Sequence, residues 1–547
     1  MPPTPTLPQN AADPRQRADA ITKRRASYEY DFSYANLCFV KDLPLRDEFP
    51  PRYLAQGAEV TIRLQANHAA AKVGSWLEKR ASPMDAWTHM FPMLPAPLAM
   101  PHAAQDWCFA WQRLAGPTPN AIMRVERLPE ALPITDAELK RVLGSEKTSL
   151  AEAIASQRLY LADYALFDGA PTGITDGHAK FLWAPIVLFC VDRAFAGQLR
   201  PVAIQTGGRR GTRETLYFPW DRDWMLARTA ANIADENLQG VLVHLGWCHM
   251  VIQRFILASY RQLSVDHPLS VLLAPHFETT LAVNEVARKS VVNPGGVQDR
   301  LLAPTIEAQT RILDHSVATL DLASLDPTID YARRGVGDPE TLPMYPFRDD
   351  ALPIWDALRR FVDRYVRLYY ASDADVIADG ELAAFVREVG AADGGRLPAM
   401  VAGVDPKTVT DVTLLISRVL FRATAYHATI NNSNYDWAAY VPSMPTAGAS
   451  ALPPRATASE ADLPSMLPPS EIGWETIAAT YQVANLHINW LGKYDPDHFV
   501  DARVAPLVAD FQRDLATIED ETNARNGARP LPYTFLLPSR ITNSINA

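Results

Sequence analysis

The pattern of apolar positions predicts a mainly helical chain built around one long central helix. Between residues 221 and 262, apolar side chains recur at spacings of three and four, and no proline interrupts them. Such periodicity over so many residues is typical of an α-helix that buries at least one face. Similar periodicity predicts four further helices, at residues 278–291, 354–371, 408–430 and 500–523.

Shorter apolar runs separated by turns predict a small β subdomain ahead of the central helix. The runs cover residues 158–161, 182–190 and 201–205, and their length and spacing are typical of strands. Residues 1–50, which have prolines near their start, are interpreted as an extended N-terminal extension that wraps the main body of residues 51–547. Residues 441–470 contain seven prolines, and this segment is predicted to be a loop without helix.

Composition and charge exclude several classes of protein. The chain has 547 residues, a net charge of −10 and 48% hydrophobic residues, so it can bury a large core but lacks the basic surface that nucleic acid requires. The longest apolar run, residues 181–191, is too short to span a membrane. We recognise no signal peptide, and the four cysteines are dispersed. A reduced protein that is cytoplasmic or otherwise soluble is expected.

Histidines concentrate on two predicted helices in a pattern that suggests a metal site. His427 and Asn431 are four residues apart, so they lie on one face of an α-helix. His244 and His249 are five apart and diverge by about 140° on an ideal α-helix. They converge only if the helix widens to i→i+5 bonding, so we predict a π-bulge within residues 240–252. Imidazole and amide ligands favour non-haem iron or manganese over a thiolate-bound zinc. A single histidine on a helix is more often a core residue.

At these residues the sequence resembles the lipoxygenase family. After a His-x4-His motif, seventeen residues separate His249 from His267, which precedes proline, and eight more separate His267 from His276. Further segments similar to the family are Trp224-Met-Leu-Ala-Arg228, Pro294-Gly-Gly-Val297, Arg525-Asn526, Leu531-Pro-Tyr-Thr-Phe-Leu536 and the C-terminal Asn543-Ser-Ile-Asn-Ala547. The similarity extends from about residue 158 to the last residue.

The resemblance implies a complete set of metal ligands. By position these are the side chains of His244, His249, His427 and Asn431 and the terminal carboxylate of Ala547, around one non-haem iron per chain, with manganese as the alternative. The family usually ends in Ile, so Ala547 departs from its pattern. Gln239 and Asn434 are implied to lie next to the ligands and to support them. Asn432, Ser433 and Asn434 occupy the positions at which relatives have Phe-Gly-Gln. His267 and His276 are implied to be structural.

The resemblance also implies a fold and a reaction. The fold is the helical lipoxygenase catalytic domain without the family's N-terminal β-sandwich. The reaction is insertion of O2 into the cis,cis-pentadiene of polyunsaturated fatty acids such as linoleate or arachidonate. Ala287 falls at the position where Ala accompanies S-configured hydroperoxides, and Val291 at a substrate-pocket position. We expect a monomer whose contact with membrane lipid, if it makes one, is peripheral.

Two alternatives use the same residues differently. The first keeps the metal but isomerises fatty acid hydroperoxides, as an epoxyalcohol synthase does. The second is a lipid-binding protein whose catalytic site has decayed, which the altered terminus and the Asn432–Asn434 differences suggest.

Overall fold

The computed structural model describes residues 4–77, 84–144, 148–195 and 197–547, and most of them are helical. Up to the central helix, the α-helices are Pro14–Ser27, Pro51–Leu77, Asp85–Thr88, Asp106–Ala115, Asp136–Leu143 and Leu150–Ala155. After the central helix they are Pro268–Leu273, Thr280–Val286, Val297–Leu301, Ile306–Thr319, Pro327–Arg334, Pro346–Val366, Asp373–Ala378, Gly380–Gly390, Val409–Phe421, His427–Asn432, Asn434–Ala438, Leu463–Met466, Ser470–Asn485 and Ala505–Asn526.

The central helix runs without a break from Trp224 to Gln262. It comprises an α-helical part, Trp224–Leu238, a π-helical part, Gln239–Met250, and a second α-helical part, Val251–Gln262. This helix is long and apolar enough to cross a bilayer, but 89% of its most apolar window is buried in the protein. It is therefore a core helix, and the other elements pack around it.

The predicted β subdomain is confirmed as a five-stranded antiparallel sheet. Its strands, in spatial order, are Ile122–Arg124, Leu159–Asp163, Ile186–Asp192, Gln198–Gln205 and Leu216–Tyr217. Two small hairpins, Tyr30–Asp31 with Phe39–Val40 and Ile174–Thr175 with His178–Ala179, lie outside this sheet.

Both faces of this sheet are buried, which explains why its middle strand is apolar from Ile186 to Val191, before the strand ends at Asp192. Along that strand Val187 and Phe189 face the main core, whereas Ile186, Leu188 and Cys190 face a smaller cluster that includes the helix Asp136–Leu143. Since successive side chains of a strand point to opposite faces, a strand covered on both sides must be apolar at every position.

Two sequence predictions need correction. The N-terminal extension is not extended throughout, because Pro14–Ser27 is a helix whose first backbone N–H groups are capped by the Asp13 carboxylate. The prediction that residues 441–470 contain no helix is wrong at Leu463–Met466. Pro464 occupies the first turn of that helix, where a proline leaves no additional backbone hydrogen bond unmade.

Candidate metal centre

A π-helical segment brings the first two histidines together, as the spacing predicts. His244 and His249 lie within Gln239–Met250, and their Nε2 atoms are 3.2 Å apart. The i→i+5 bonding of a π-helix widens each turn, so residues five apart fall on one face. The bulge predicted within residues 240–252 is confirmed, and the π segment begins one residue earlier, at Gln239.

His427 joins this pair from a second helix. Its Nε2 atom is 3.2 Å from Nε2 of His244, and one nitrogen of each of the three rings lies within 4.8 Å of the others. A second π segment, Arg422–Tyr426, ends immediately before His427. Three imidazole nitrogens therefore converge on one point in the protein interior.

The C-terminal tail, residues 541–547, delivers an oxygen to the same point. The backbone oxygen of Ala547 is 3.2 Å from Nε2 of His427. Further back, His276 Nδ1 donates to the Asn543 carbonyl over 2.8 Å, and the hydroxyls of Thr279 and Thr280 donate to the Ile545 carbonyl. Ile545 is fully buried, so the tail has an apolar anchor two residues before Ala547.

Asn431 places a buried amide oxygen beside His244. Its Nδ2 donates to the Val483 carbonyl over 2.7 Å, whereas its buried Oδ1 meets no donor in good hydrogen-bond geometry among the described residues. Asn431 also contacts His244. A buried acceptor with no partner is unusual in native proteins. Three imidazole nitrogens, this oxygen and the Ala547 oxygen form a donor set that fits a non-haem metal of the iron type.

Burial holds the three histidines in the form that can bind a metal. Desolvation, followed by the neighbouring imidazoles, lowers the pKa of His244 and of His427 well below the usual value. Burial also lowers the pKa of His249 to about 4. All three rings are therefore neutral at pH 7, and neutral imidazole is the protonation state that ligates metals.

Asn284 is a supporting residue that the sequence reasoning missed. Its Oδ1 accepts a hydrogen bond from His249 Nδ1 over 2.7 Å, and its Nδ2 donates to the Gln253 side chain. This arrangement leaves the lone pair of His249 on Nε2, which faces the other histidines. Asn284 is 35 residues from His249 in sequence, and no spacing motif joins them.

The two residues predicted to support the ligands differ in their contacts. Gln239 Nε2 donates to the Ile430 carbonyl over 3.3 Å and so connects the central helix to the residue before Asn431. Asn434 is buried, and none of the described residues donates a hydrogen bond to its Oδ1. Asn432 accepts from the Asn431 amide and donates to the Arg540 carbonyl, contacts that the sequence did not indicate.

The predicted pocket residues lie on the element that carries Asn284. That element is the helix Thr280–Val286, which continues as a π segment, Ala287–Val291. Ala287 is almost fully buried and Val291 is half-buried. Ala287 follows Asn284 by three residues, so the two side chains lie on neighbouring parts of one helical face.

The remaining two histidines of the motif lie outside the cluster and bind other segments. His267 Nε2 is 2.9 Å from Asp379, and its Nδ1 accepts from the backbone N–H of Leu269 at the start of the next helix. His276 binds the tail, as described above. These contacts agree with the structural roles expected for both residues.

Comparison with known proteins assigns the chain to a family. A model of the lipoxygenase family matches residues 91–538. Linoleate 9/13-lipoxygenase of Pseudomonas aeruginosa is 37% identical over 463 residues, which cover 81% of this chain and 66% of the relative. Human polyunsaturated fatty acid lipoxygenase ALOX15B is 33% identical, covering 82% and 66%. The chain belongs to the lipoxygenase family, and its matches span slightly less than two thirds of these relatives.

Other relatives and solved structures extend this picture. Rat hydroperoxide isomerase ALOXE3 is 30% identical, over 81% of this chain and 63% of the relative. An anaerobic crystal structure of delta413-417:GS LOX in complex with arachidonate superposes with a TM-score of 0.93 at 24% identity, covering 100% of this chain and 84% of that one. Coral 8R-lipoxygenase gives a TM-score of 0.90 at 24% identity, covering 100% and 83%. The fold is that of the lipoxygenase catalytic domain.

Proposed function

We propose that this protein is a non-haem metal dioxygenase that inserts O2 into the cis,cis-pentadiene of polyunsaturated fatty acids to give S-configured hydroperoxides. The observation that carries the proposal is the convergence of His244, His249, His427, Asn431 and Ala547. Linoleate and arachidonate are the substrates we expect, since relatives are named for linoleate and for polyunsaturated fatty acids.

The donor set explains why the site suits this chemistry. When bound there, a redox-active iron or manganese ion supplies one-electron oxidation of the weak doubly allylic C–H bond. Neutral His244, His249 and His427 add no charge, and the Ala547 carboxylate adds one negative charge, so the residues stabilise a high oxidation state only weakly. Burial of the His249 and His427 rings also limits bulk water at the place where a carbon radical meets O2.

The experiment combines metal analysis with product analysis. Purified protein should contain close to one iron or manganese per chain, and linoleate under air should give rising conjugated-diene absorbance together with oxygen uptake. Replacement His244→Ala should remove both the metal and the activity. His315→Ala is the matched control, because His315 is exposed and lies outside the cluster. Full metal content in the His244→Ala protein would contradict the assignment.

The second candidate, a hydroperoxide isomerase, is favoured by the 30% identity to ALOXE3. To distinguish an isomerase from a dioxygenase, the protein is given a purified hydroperoxide of linoleate in the absence of oxygen. An isomerase consumes the conjugated diene, whereas a pure dioxygenase leaves it unchanged. A decayed lipid-binding protein would show neither change and would not retain a stoichiometric metal ion.

A further inference from the structure

The N-terminal helix, Pro14–Ser27, concentrates positive charge on an acidic protein. It contains Arg15, Arg17, Lys23, Arg24 and Arg25 against a single acid, Asp19, while the whole chain has a net charge of −10. Arg17 is paired with Asp266 and Glu381. Among the described residues, no carboxylate lies within ion-pair distance of Lys23 or Arg24. Positive charge therefore remains available on this helix.

Beside this helix lies a groove of about 480 Å³ whose lining is cationic and apolar. Lys23, Arg24 and Arg46 supply three cations, of which Arg46 is paired with the neighbouring Asp47 carboxylate over 3.7 Å; the described residues that line the groove include no acid. Ile21, Leu45 and Val265 supply apolar surface, with Leu45 82% exposed and Val265 51% exposed. A volume of several hundred Å³ is in the range of small-molecule sites, and large exposed apolar side chains grouped around a groove suggest a ligand.

Arg24 connects the groove to the central helix. Its guanidinium carbon lies 4.4 Å above the ring of Tyr260, near the end of that helix, and one terminal nitrogen donates to the Leu263 carbonyl. Its Nε is buried and has no hydrogen-bond partner in the part of the chain that the structure describes. Arg46 is anchored differently: its Nε donates to the Tyr28 hydroxyl over 2.8 Å and lies 3.7 Å from the Asp47 carboxylate, while its side chain is 55% exposed. Both guanidinium groups are therefore held in place at the groove, and the exposed Lys23 lies beside them.

From this combination we propose that the groove binds one molecule of a long-chain anionic amphiphile, of which a free fatty acid is the simplest. The carboxylate lies among Lys23, Arg24 and Arg46, and the acyl chain covers Ile21, Leu45 and Val265. The described residues of the lining include no aromatic side chain on which a nucleotide base could stack. The site is concave, which suits a single amphiphile better than the flat surface of a bilayer.

Photolabelling with palmitate that carries a terminal diazirine tests the proposal on the full-length protein. We expect labelled peptides from residues 20–27, 44–46 and 264–265, in addition to any label near the metal centre. Palmitate has no pentadiene and is not oxidised, so the result is independent of the proposed reaction. Label confined to the metal centre would overturn the proposal.

Charge reversal separates specific binding from general adhesion. In the double variant Lys23→Glu/Arg46→Glu, labelling of the groove peptides should fall about tenfold. This is the change expected if about 1.4 kcal/mol of binding free energy is removed. Arg15→Glu is the matched control, because Arg15 lies on the same helix but outside the groove; it should retain the label. Equal loss in both proteins would refute a specific site.

Two changes of probe test the ligand chemistry. The methyl ester of the same probe should label the groove at least several-fold less, and equal labelling would contradict the role of the three cations. Labelling that appears only when the probe is incorporated in phosphatidylcholine vesicles would show a membrane-facing surface instead, and this too would overturn the proposal.

Discussion

Asn284 illustrates how one amide can decide which nitrogen of a histidine faces a metal. Because its Oδ1 accepts from Nδ1 of His249 while its Nδ2 is engaged by Gln253, the amide cannot turn over without losing both contacts. The proton of His249 is thereby fixed on Nδ1. Such supporting contacts commonly change metal affinity by one or two orders of magnitude.

Replacement Asn284→Leu should therefore weaken metal binding about tenfold to a hundredfold, because the ring of His249 loses its orienting acceptor. Metal content after dialysis against graded chelator concentrations measures the effect, and circular dichroism confirms that the variant is folded. Asn284→Asp keeps an acceptor oxygen and should retain most of the affinity. Unchanged affinity in the leucine variant would show that Asn284 does not orient the ligand.

Ala287 is the residue at which product configuration can be tested. Its methyl group is buried, one helical turn beyond Asn284. Replacement Ala287→Gly removes only this methyl group, so it opens space beside the proposed site with little change elsewhere. We expect the product to shift from S towards R configuration, measured by chiral chromatography of the hydroperoxide.

Val291→Ala is the control: it enlarges the pocket nearby and should leave the S product dominant. An unchanged S product in the Ala287→Gly variant would contradict the proposed role of Ala287.

At the scale of secondary-structure elements, the candidate site is marked by π-helical segments. Three of them occur in the described part of the chain, and each one contains or adjoins a residue assigned to the site: Gln239–Met250, Ala287–Val291 and Arg422–Tyr426. Concentration of π-bulges at functional sites is a general tendency. Only the first was predictable, because His244 and His249 cannot converge on an α-helix. His427 and Asn431 already share a face of an ordinary α-helix, so their spacing gave no sign of the third.

Most of the element pattern could be predicted from periodicity, whereas contacts distant in sequence could not. The central helix, the sheet and the histidine spacing are local signals, and the structure has all three. The Asn284–His249 contact joins residues 35 apart, and the His276–Asn543 contact joins residues 267 apart. The short helix Leu463–Met466 was missed because proline suppresses the expectation of helix even at the first turn, where it is tolerated.

The C-terminal tail acts as an element of the proposed centre, and its free end can be tested directly. Asn543 Oδ1 accepts from the Gly492 N–H and Asn546 Oδ1 from the Ile488 N–H, each over 3.1 Å. These bonds fix the tail up to Asn546. Adding Gly-Ser after Ala547 should therefore displace the carboxylate without unfolding the tail.

We expect the extended protein to lose most of its metal and activity. In the presence of chelator, its melting temperature should match that of the metal-free protein without the extension. Elemental analysis and oxygen uptake provide the measurement. The same dipeptide added before the first residue serves as the control and should have no effect. Full metal content in the C-terminally extended protein would exclude Ala547 as a ligand.

At the scale of the whole molecule, buried ionic contacts join segments that are far apart in sequence. Asp350, which is fully buried, binds both Arg525 and Arg529 over 2.7 to 3.0 Å and so attaches the last long helix to Pro346–Val366. Asn526 bonds to both backbone groups of Tyr533. The C-terminal residues that resemble the family therefore have a structural role: they direct the chain from its last helix back towards the histidines.

A different long-range contact, from the buried His276 to the Asn543 carbonyl, makes the stability of the molecule sensitive to acid. His276 is fully buried, and burial lowers its pKa to about 4, although its bond to the Asn543 carbonyl opposes the shift. In the unfolded chain the pKa of histidine is about 6.5. Between these values the unfolded state binds more protons than the folded state, so the free energy of unfolding falls as the pH decreases from about 6.5 to about 4.

For His276 alone this linkage amounts to about 2 kcal/mol lost between pH 7 and about pH 5. Urea unfolding at a series of pH values should therefore show a shallower pH dependence for His276→Gln than for the unsubstituted protein, because glutamine still donates to Asn543 but does not titrate. His315→Gln is the control: His315 is exposed, and its replacement should leave the pH dependence unchanged. His276 also holds the C-terminal tail in place. As the pH is lowered, the unsubstituted protein should therefore release its metal at a higher pH than His276→Gln does. Identical pH dependence in all three proteins would show that protonation of His276 does not limit stability in acid.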